Sequence, residues 1–85
     1  MEFIYEKERI YSLDENGRLI AEITFPARGG DAVIDHTFTD PSLRGQGVAD
    51  RLVRAAVKEI KARGLTPRAT CSYAARWFER HPEEI

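Results

Sequence analysis

This 85-residue chain has a single cysteine, Cys71, and one cysteine cannot form an internal disulfide. Its apolar runs are all far shorter than the ~20 residues that a membrane-spanning helix needs. Its N-terminus also lacks the apolar core of a signal peptide. These absences predict a cytoplasmic protein with no membrane partner.

Neither sign of charge is in excess, because thirteen lysines and arginines oppose fourteen aspartates and glutamates for a net charge of −1. A general nucleic-acid binder needs a basic face, so we expect no nucleic-acid partner. Histidine is scarce as well. With two histidines and one cysteine spread along the chain, no metal-ligand spacing and no Ser-His-Asp order appears, and we expect no metal site.

The length limits the chain to one domain, residues 1–85, with a modest core. A chain this short hides only roughly 60–65% of its surface on folding. No repeat, linker or low-complexity segment interrupts it.

Residues 9–39 alternate between apolar and polar side chains, which is typical of β-strands. The predicted strands and the turns between them are Arg9–Leu13, Asp14–Gly17, Arg18–Phe25, Gly29–Asp31 and Ala32–Thr39. Phe3–Tyr5 either extends the first strand or forms a short extra one. The third strand should place Ile34, His36 and Phe38 on one face. The result is an antiparallel meander of three or four strands.

The second half predicts a helix, a strand and a last helix, at Val48–Arg63, Leu65–Thr70 and Tyr73–Arg80. Gly64 suits the end of the first helix, and either Cys71 or Ser72 would cap the second, which Pro82 follows. The order βββαβα predicts an α+β fold with few helices.

The segment Asp40–Ala49 leads from the third strand into the first helix through a turn with two glycines, Gly45 and Gly47. Such a turn leaves backbone N–H groups unpaired and aims them, with the positive end of the helix dipole, at one place. A phosphate suits that place, and Arg44 adds a positive charge. Because Asp50 stands where a dinucleotide fold needs a third glycine or alanine, and no Gly-Lys-Ser/Thr follows, neither that fold nor a nucleoside triphosphatase is indicated. The alternative is a glycine turn that only starts a helix.

Three side chains are candidates for chemistry, each with a structural alternative. Cys71 stands where a strand passes into a helix, whose N-terminus lowers a thiol pKa, although most lone cysteines are small buried residues. His36 is either a base or a histidine packed on the sheet. Tyr73 either donates a proton or packs, and His81, at a helix end, suits a capping role.

The segment Arg44-Gly45-Gln46-Gly47-Val48-Ala49 resembles the acyl-coenzyme A signature of the GNAT acetyltransferases, Arg/Gln-x-x-Gly-x-Gly/Ala, at three defined positions. The chain is also similar to the small, single-domain GNAT-like proteins. The matching segments are Asp35-His36-Thr37, Asp40–Gly47, Cys71-Ser72-Tyr73, Trp77-Phe78 and His81-Pro82. The whole match spans roughly residues 9 to 83, and this set of segments with its spacing is much more specific than the signature alone.

This resemblance implies a minimal GNAT-like fold and an N-acetyltransferase that moves an acetyl group from acetyl-coenzyme A (acetyl-CoA) to an amine-bearing small molecule or protein. The implied cofactor-binding residues are Arg44, Gly45, Gln46, Gly47, Val48 and Ala49, and the amides around the last four of them would hold the diphosphate. The pantetheine would lie between the third strand and the strand before Cys71. Cys71, His36 or Tyr73 would then serve the chemistry, with the amine deprotonated by a base or by water.

The chain departs from the larger family in two ways. Full-length members carry two helices after their first strand that build much of the acceptor pocket, whereas this chain predicts only turns there, so its acceptor site should be open. They also commonly have Asn at the start of the last helix and Tyr seven residues on as general acid, where this chain has Cys71 and Phe78. Because Phe78 cannot protonate a leaving thiolate, either Cys71 or Tyr73 does so, or the protein is a non-catalytic acyl-CoA-binding or interaction module.

Overall fold

The computed structural model describes the whole chain, residues 1–85. In chain order its elements are β1 (Ile4–Glu6), β2 (Arg9–Leu13), β3 (Leu19–Thr24), β4 (Ala27–Arg28), β5 (Asp31–Ile34), β6 (His36–Thr39), α1 (Val48–Ala62), β7 (Thr66–Ala69) and α2 (Ser72–Arg80). Single-turn 3-10 helices follow β6 and α2, at Pro41–Leu43 and Pro82–Glu84. The predicted α+β class, with a strand meander followed by helix, strand and helix, is confirmed.

A four-stranded antiparallel sheet in the order β1-β2-β3-β6 forms the first layer. Its alternation is the one the sequence predicts, with Ile10, Ala21 and Ile23 fully buried on the face that packs against α1. We call this the inner face. Of the two roles that the sequence predicts for Phe3–Tyr5, the structure shows the short extra strand, because β1 covers Ile4 and Tyr5 and pairs with β2.

The predicted third strand, Ala32–Thr39, is split at Asp35 into β5 and β6. β6 stays in the first sheet beside β3, whereas β5 leaves it and joins a second, three-stranded sheet in the order β4-β5-β7. In that sheet β5 and β7 run parallel, with Ile34 opposite Ala69. Asp35 is therefore the point where the two sheets separate.

The interruption at Asp35 also reverses which side chains face the core, because one extra residue moves the rest of a strand to the other face. Thr37 pairs with the buried Ile23 and lies on the inner side, and its neighbour His36 lies on the other face with 52% of its side chain exposed. Ile34 is fully buried. The expectation that Ile34, His36 and Phe38 share one face is therefore wrong.

The helix α1 packs on the inner face, α2 packs on β7 and on α1, and together they complete one core. The buried apolar residues are Ile10, Ala21, Ile23, Phe25, Ala32, Ile34, Val48, Leu52, Val53, Ala56, Val57, Ile60, Ala74 and Trp77. Six of them come from the apolar stripe of α1, which explains why that stripe predicts the helix within one residue at its end. Neither helix is long and apolar enough to cross a membrane.

Candidate active site

The turn before α1 is held in shape by Asp40, at the end of β6. The backbone N–H and the hydroxyl of Ser42 donate to Asp40 Oδ2 at 3.0 and 2.5 Å, and Arg18 donates to Asp40 Oδ1 at 2.9 Å. The hydrogen bonds from Ser42, with the charge of Arg18, hold the pKa of Asp40 below its ordinary value. The carboxylate thus fixes the turn and has its own charge partly neutralised.

Two glycines give the turn its path. Gly45 has a φ of +81° and Gly47, the N-cap of α1, a φ of +70°, both in the left-handed region that favours glycine. A Cβ built at either position meets nothing within 4 Å, so conformation rather than crowding requires glycine there.

The turn presents unpaired backbone donors. The first helical hydrogen bond of α1 runs from Arg51 N–H to Gly47 C=O, at 3.1 Å. The N–H groups of Val48, Ala49 and Asp50 therefore lie ahead of the helical ladder at the positive end of the helix dipole. Together with the exposed Arg44, they form an arrangement that can receive an anion.

A cavity of about 300 Å³ opens at this turn. Its lining residues are Thr39, Asp40, Pro41, Leu43, Arg44, Gly45, Gly47, Val48, Ala49, Asp50 and Tyr73. The hydroxyl oxygen of Thr39 is buried without a hydrogen-bond partner, and burying a hydroxyl unpaired is unfavourable. A ligand that enters this cavity along β6 would meet a free hydrogen-bonding group there.

Asp50, in the first turn of α1, is turned toward α2 by two hydrogen bonds. Trp77 Nε1 donates to one carboxylate oxygen at 2.7 Å and Arg54 donates to the other at 2.5 Å. These two hydrogen bonds lower the pKa of Asp50, and the bond from Trp77 has the larger effect. Arg54 also forms a bidentate pair with Glu84, near the end of the chain, at 2.9 and 3.1 Å. The start of α1, α2 and the C-terminus are therefore tied together.

Cys71 is the N-cap residue of α2, and its sulfur lies 3.3 Å from Thr37 Oγ1 on β6. Burial alone would raise the pKa of the Cys71 thiol. The Thr37 hydroxyl and the nearby N–H groups of Ala74 and Tyr73 outweigh that effect and lower the pKa, although those N–H groups form no full capping bond. The thiol is partly buried beside the inner side of β6.

Tyr73 lines the cavity with 40% of its surface exposed. Burial, aided by the negative charge of Asp50, raises the pKa of Tyr73. Phe78 lies one helical turn past Ala74, packs against the core and does not line the cavity. His81 Nδ1 donates to the Trp77 carbonyl at 2.9 Å, and the imidazole stacks on the Trp77 ring, which fits the predicted capping role.

The face of the first sheet opposite α1, which we call the outer face, carries a polar cluster. His36 Nε2 lies 3.1 Å from Glu22 Oε1, and Arg9 Nε donates to the other Glu22 oxygen at 2.6 Å. The guanidinium of Arg9 stacks over the Tyr11 ring at 3.8 Å. The predicted candidates are thus not brought together: Cys71 and Tyr73 lie on the inner side of β6, and His36 lies on the outer face.

A family model for the GCN5-related N-acetyl-transferases matches residues 9–85. The chain belongs to this family. It is therefore an acetyltransferase by class, as its motifs predict, and the GNAT fold that the resemblance implies is confirmed.

The chain is also similar to several solved structures. A GCN5-like protein from Staphylococcus aureus is 30% identical with a TM-score of 0.79, and the match covers 98% of this chain and 82% of that one. A transcriptional regulator from Bacillus halodurans is 25% identical (TM-score 0.64; 85% and 55% covered). Glucosamine-6-phosphate N-acetyltransferase from Arabidopsis thaliana, 17% identical, shares the fold (TM-score 0.63; 89% and 59% covered). A comparison with curated proteins found no match.

This GNAT domain spans just over half of the last two structures. No helix lies between its early strands, as the sequence predicts.

Sequence reasoning missed the partners of the candidate residues: Thr37 beside Cys71, Glu22 beside His36, and Asp50 beside Trp77. Only the last had a local signal, since a buried indole N–H requires an acceptor.

Proposed function

We propose that this domain transfers an acetyl group from acetyl-CoA to an amine, with the two reactants on opposite sides of β6. The observation that carries the proposal is the turn before α1, where glycines with positive φ precede three free N–H groups beside a 300 Å³ cavity. The residues that would hold the diphosphate are Arg44, Gly45, Gln46, Gly47, Val48 and Ala49. Family membership supports the choice of cofactor.

The pantetheine arm would then run along β6, past the unpartnered hydroxyl of Thr39, toward Thr37 and Cys71. The strand β6 is paired with β3 on one side only, and its other edge is free because β7 pairs with β5 instead. That edge offers backbone hydrogen-bonding groups to the amides of an extended ligand. The thioester would reach the part of β6 where the Thr37 side chain lies on the inner face and the His36 side chain on the outer face.

His36 is the proposed base. Its imidazole is exposed on the outer face and oriented by Glu22, which Arg9 holds in turn. An amine arriving on this face would give its proton to His36 as its nitrogen attacks the thioester carbonyl carbon. The carbon–sulfur bond then breaks, the acetyl group stays on nitrogen, and the electron pair leaves with the CoA sulfur.

Cys71 is the proposed donor of the proton that the leaving CoA thiolate takes up. A thiol with a lowered pKa is a stronger acid than an ordinary thiol, so the transfer is favourable. Tyr73 is less suited, because its pKa is raised and it lines the cavity beside the phosphate-binding turn. After product release, solvent would return a proton to Cys71 and take up the proton that His36 removed from the amine.

The proposal is tested first by a thermal melt with acetyl-CoA. Ligand at a hundred times its dissociation constant adds about 2.7 kcal/mol, which for a domain of this size raises the melting temperature by roughly 10 °C or more. No shift at millimolar acetyl-CoA would contradict the cofactor assignment.

The second test is turnover with a panel of amines. His36→Gln should lower kcat by roughly 10²- to 10⁴-fold, the range that a general base contributes, and leave cofactor affinity unchanged. His81→Gln is the matched control, because His81 belongs to the end of α2. Cofactor binding with no turnover for any amine would instead favour a non-catalytic acyl-CoA-binding module.

A further inference from the structure

A second, smaller cavity of about 130 Å³ adjoins the one at the phosphate-binding turn, and Tyr73 lines both. Its other lining residues are Arg76, Trp77 and Arg80. These positions lie at spacings of three and four along α2, so they share one face of that helix. The Trp77 ring is 97% buried, so it forms the floor of the groove while the two arginines form its rim.

The two rim arginines carry unneutralised charge. Arg76 and Arg80 are both exposed, and neither has a carboxylate within ion-pair distance, in contrast to Arg54, which pairs with Asp50 and Glu84. The carboxylate of Asp50, whose charge acts on Tyr73 in the same groove, already accepts hydrogen bonds from Trp77 and Arg54. The positive charge of Arg80 is felt at the Tyr73 hydroxyl, where it opposes the rise in pKa.

We propose that Arg76 and Arg80 form a subsite for the phosphate monoester on the ribose of CoA. This inference rests on the proposed function, which puts the CoA diphosphate at the adjacent turn. A phosphate monoester carries about −1.5 to −2 charges at neutral pH, and guanidinium groups bind phosphate oxygens in a fixed fork geometry. At 1.5 Å per residue, Tyr73 and Arg80 are about 10 Å apart along α2, a distance that one nucleotide can bridge from the diphosphate.

The expected consequence is selectivity for the complete cofactor over its dephosphorylated form. By isothermal titration calorimetry at low salt, the wild-type domain should bind CoA at least about tenfold more tightly than dephospho-CoA, or 1.4 kcal/mol. The double variant Arg76→Gln and Arg80→Gln should lose that preference and keep its affinity for dephospho-CoA within about twofold. The preference should also shrink as salt rises, because exposed charges are screened.

Arg28→Gln is the matched control, since Arg28 is also exposed and without an ion pair but belongs to β4 in the second sheet. It should leave both affinities unchanged. Equal wild-type affinities for CoA and dephospho-CoA, or equal weakening of both in the double variant, would overturn the subsite and leave the proposed function standing. If neither compound binds the wild-type domain, the proposed function itself is overturned, and the subsite with it.

Discussion

The two faces of β6 are built very differently. On the inner face, the turn at Gly47, the Asp50–Trp77 hydrogen bond and the Cys71–Thr37 contact join the strand to both helices. On the outer face, His36 is half exposed and is held only by side chains of its own sheet. One strand therefore separates a densely supported side from a nearly bare one.

This difference teaches how selectivity is divided in so short a chain. A cofactor that is always the same favours a fixed, hydrogen-bonded binding surface, and the inner face has that character. An uncovered sheet face offers few contacts, so only an acceptor with a large surface of its own can bind there firmly. We therefore expect strict recognition of the CoA part of the cofactor and weak discrimination among small amines.

The largest effect should come from removing the residue that joins the helices on the inner face. Trp77→Ala should lower the free energy of unfolding by about 3–5 kcal/mol, because Trp77 is 97% buried and its loss leaves a cavity. Leu13→Ala, at an outer-face position that is 40% exposed, should change it by about 0.5 kcal/mol or less. Urea denaturation of both variants checks the contrast, and similar losses would mean that the two faces are equally integral to the fold.

An intermediate effect is expected at the phosphate-binding turn. Gly47→Val should weaken acetyl-CoA binding at least about tenfold, or 1.4 kcal/mol, because a β-branched residue avoids a φ of +70° and the turn must move. Gly30→Val is the control: Gly30 has equally open surroundings and no positive φ. Calorimetry with both variants gives the comparison, after circular dichroism has shown that they fold. Undiminished affinity in folded Gly47→Val would mean that the diphosphate binds elsewhere.

A smaller effect is expected in the pH dependence of Cys71. Because hydrogen bonding lowers the pKa of this thiol, its thiolate should form at a lower pH than that of an ordinary cysteine, and iodoacetamide should label it faster at neutral pH. Thr37→Val removes the nearest hydroxyl and should move the midpoint of labelling upward. Acetyl-CoA should protect the thiol. If the midpoint of labelling does not move in Thr37→Val, the Thr37 hydroxyl does not lower the pKa of Cys71.

Most of the fold follows from local patterns in the sequence. The stripe Val48 to Ile60 gives α1, and Gly64 ends it, because a helical period and a left-handed glycine each act over a few residues. The turn at Gly45 and Gly47 is predicted for the same reason.

The split of the third strand could not be predicted in this way. Residues 32–39 read as one alternating strand, and only the competition between β3 and β7 for pairing partners shows that Asp35 divides them. This is a long-range effect, and it decides which face His36 occupies. The same holds for Glu22 and Thr37, which become neighbours of His36 and Cys71 only through the sheet and the β7–α2 connection.

The parallel pairing of β5 with β7 also has a kinetic consequence. The first sheet is made of strands that are mostly close in sequence, whereas Asp31 must find Thr66 on the far side of α1. Contacts between distant residues close slowly, because the entropy of the loop is lost before the contact is gained. The second sheet should therefore assemble last. Until it does, Cys71 and α2 have no fixed position beside β6. The proposed CoA-binding surface of a newly made chain is therefore complete only after the final step of folding.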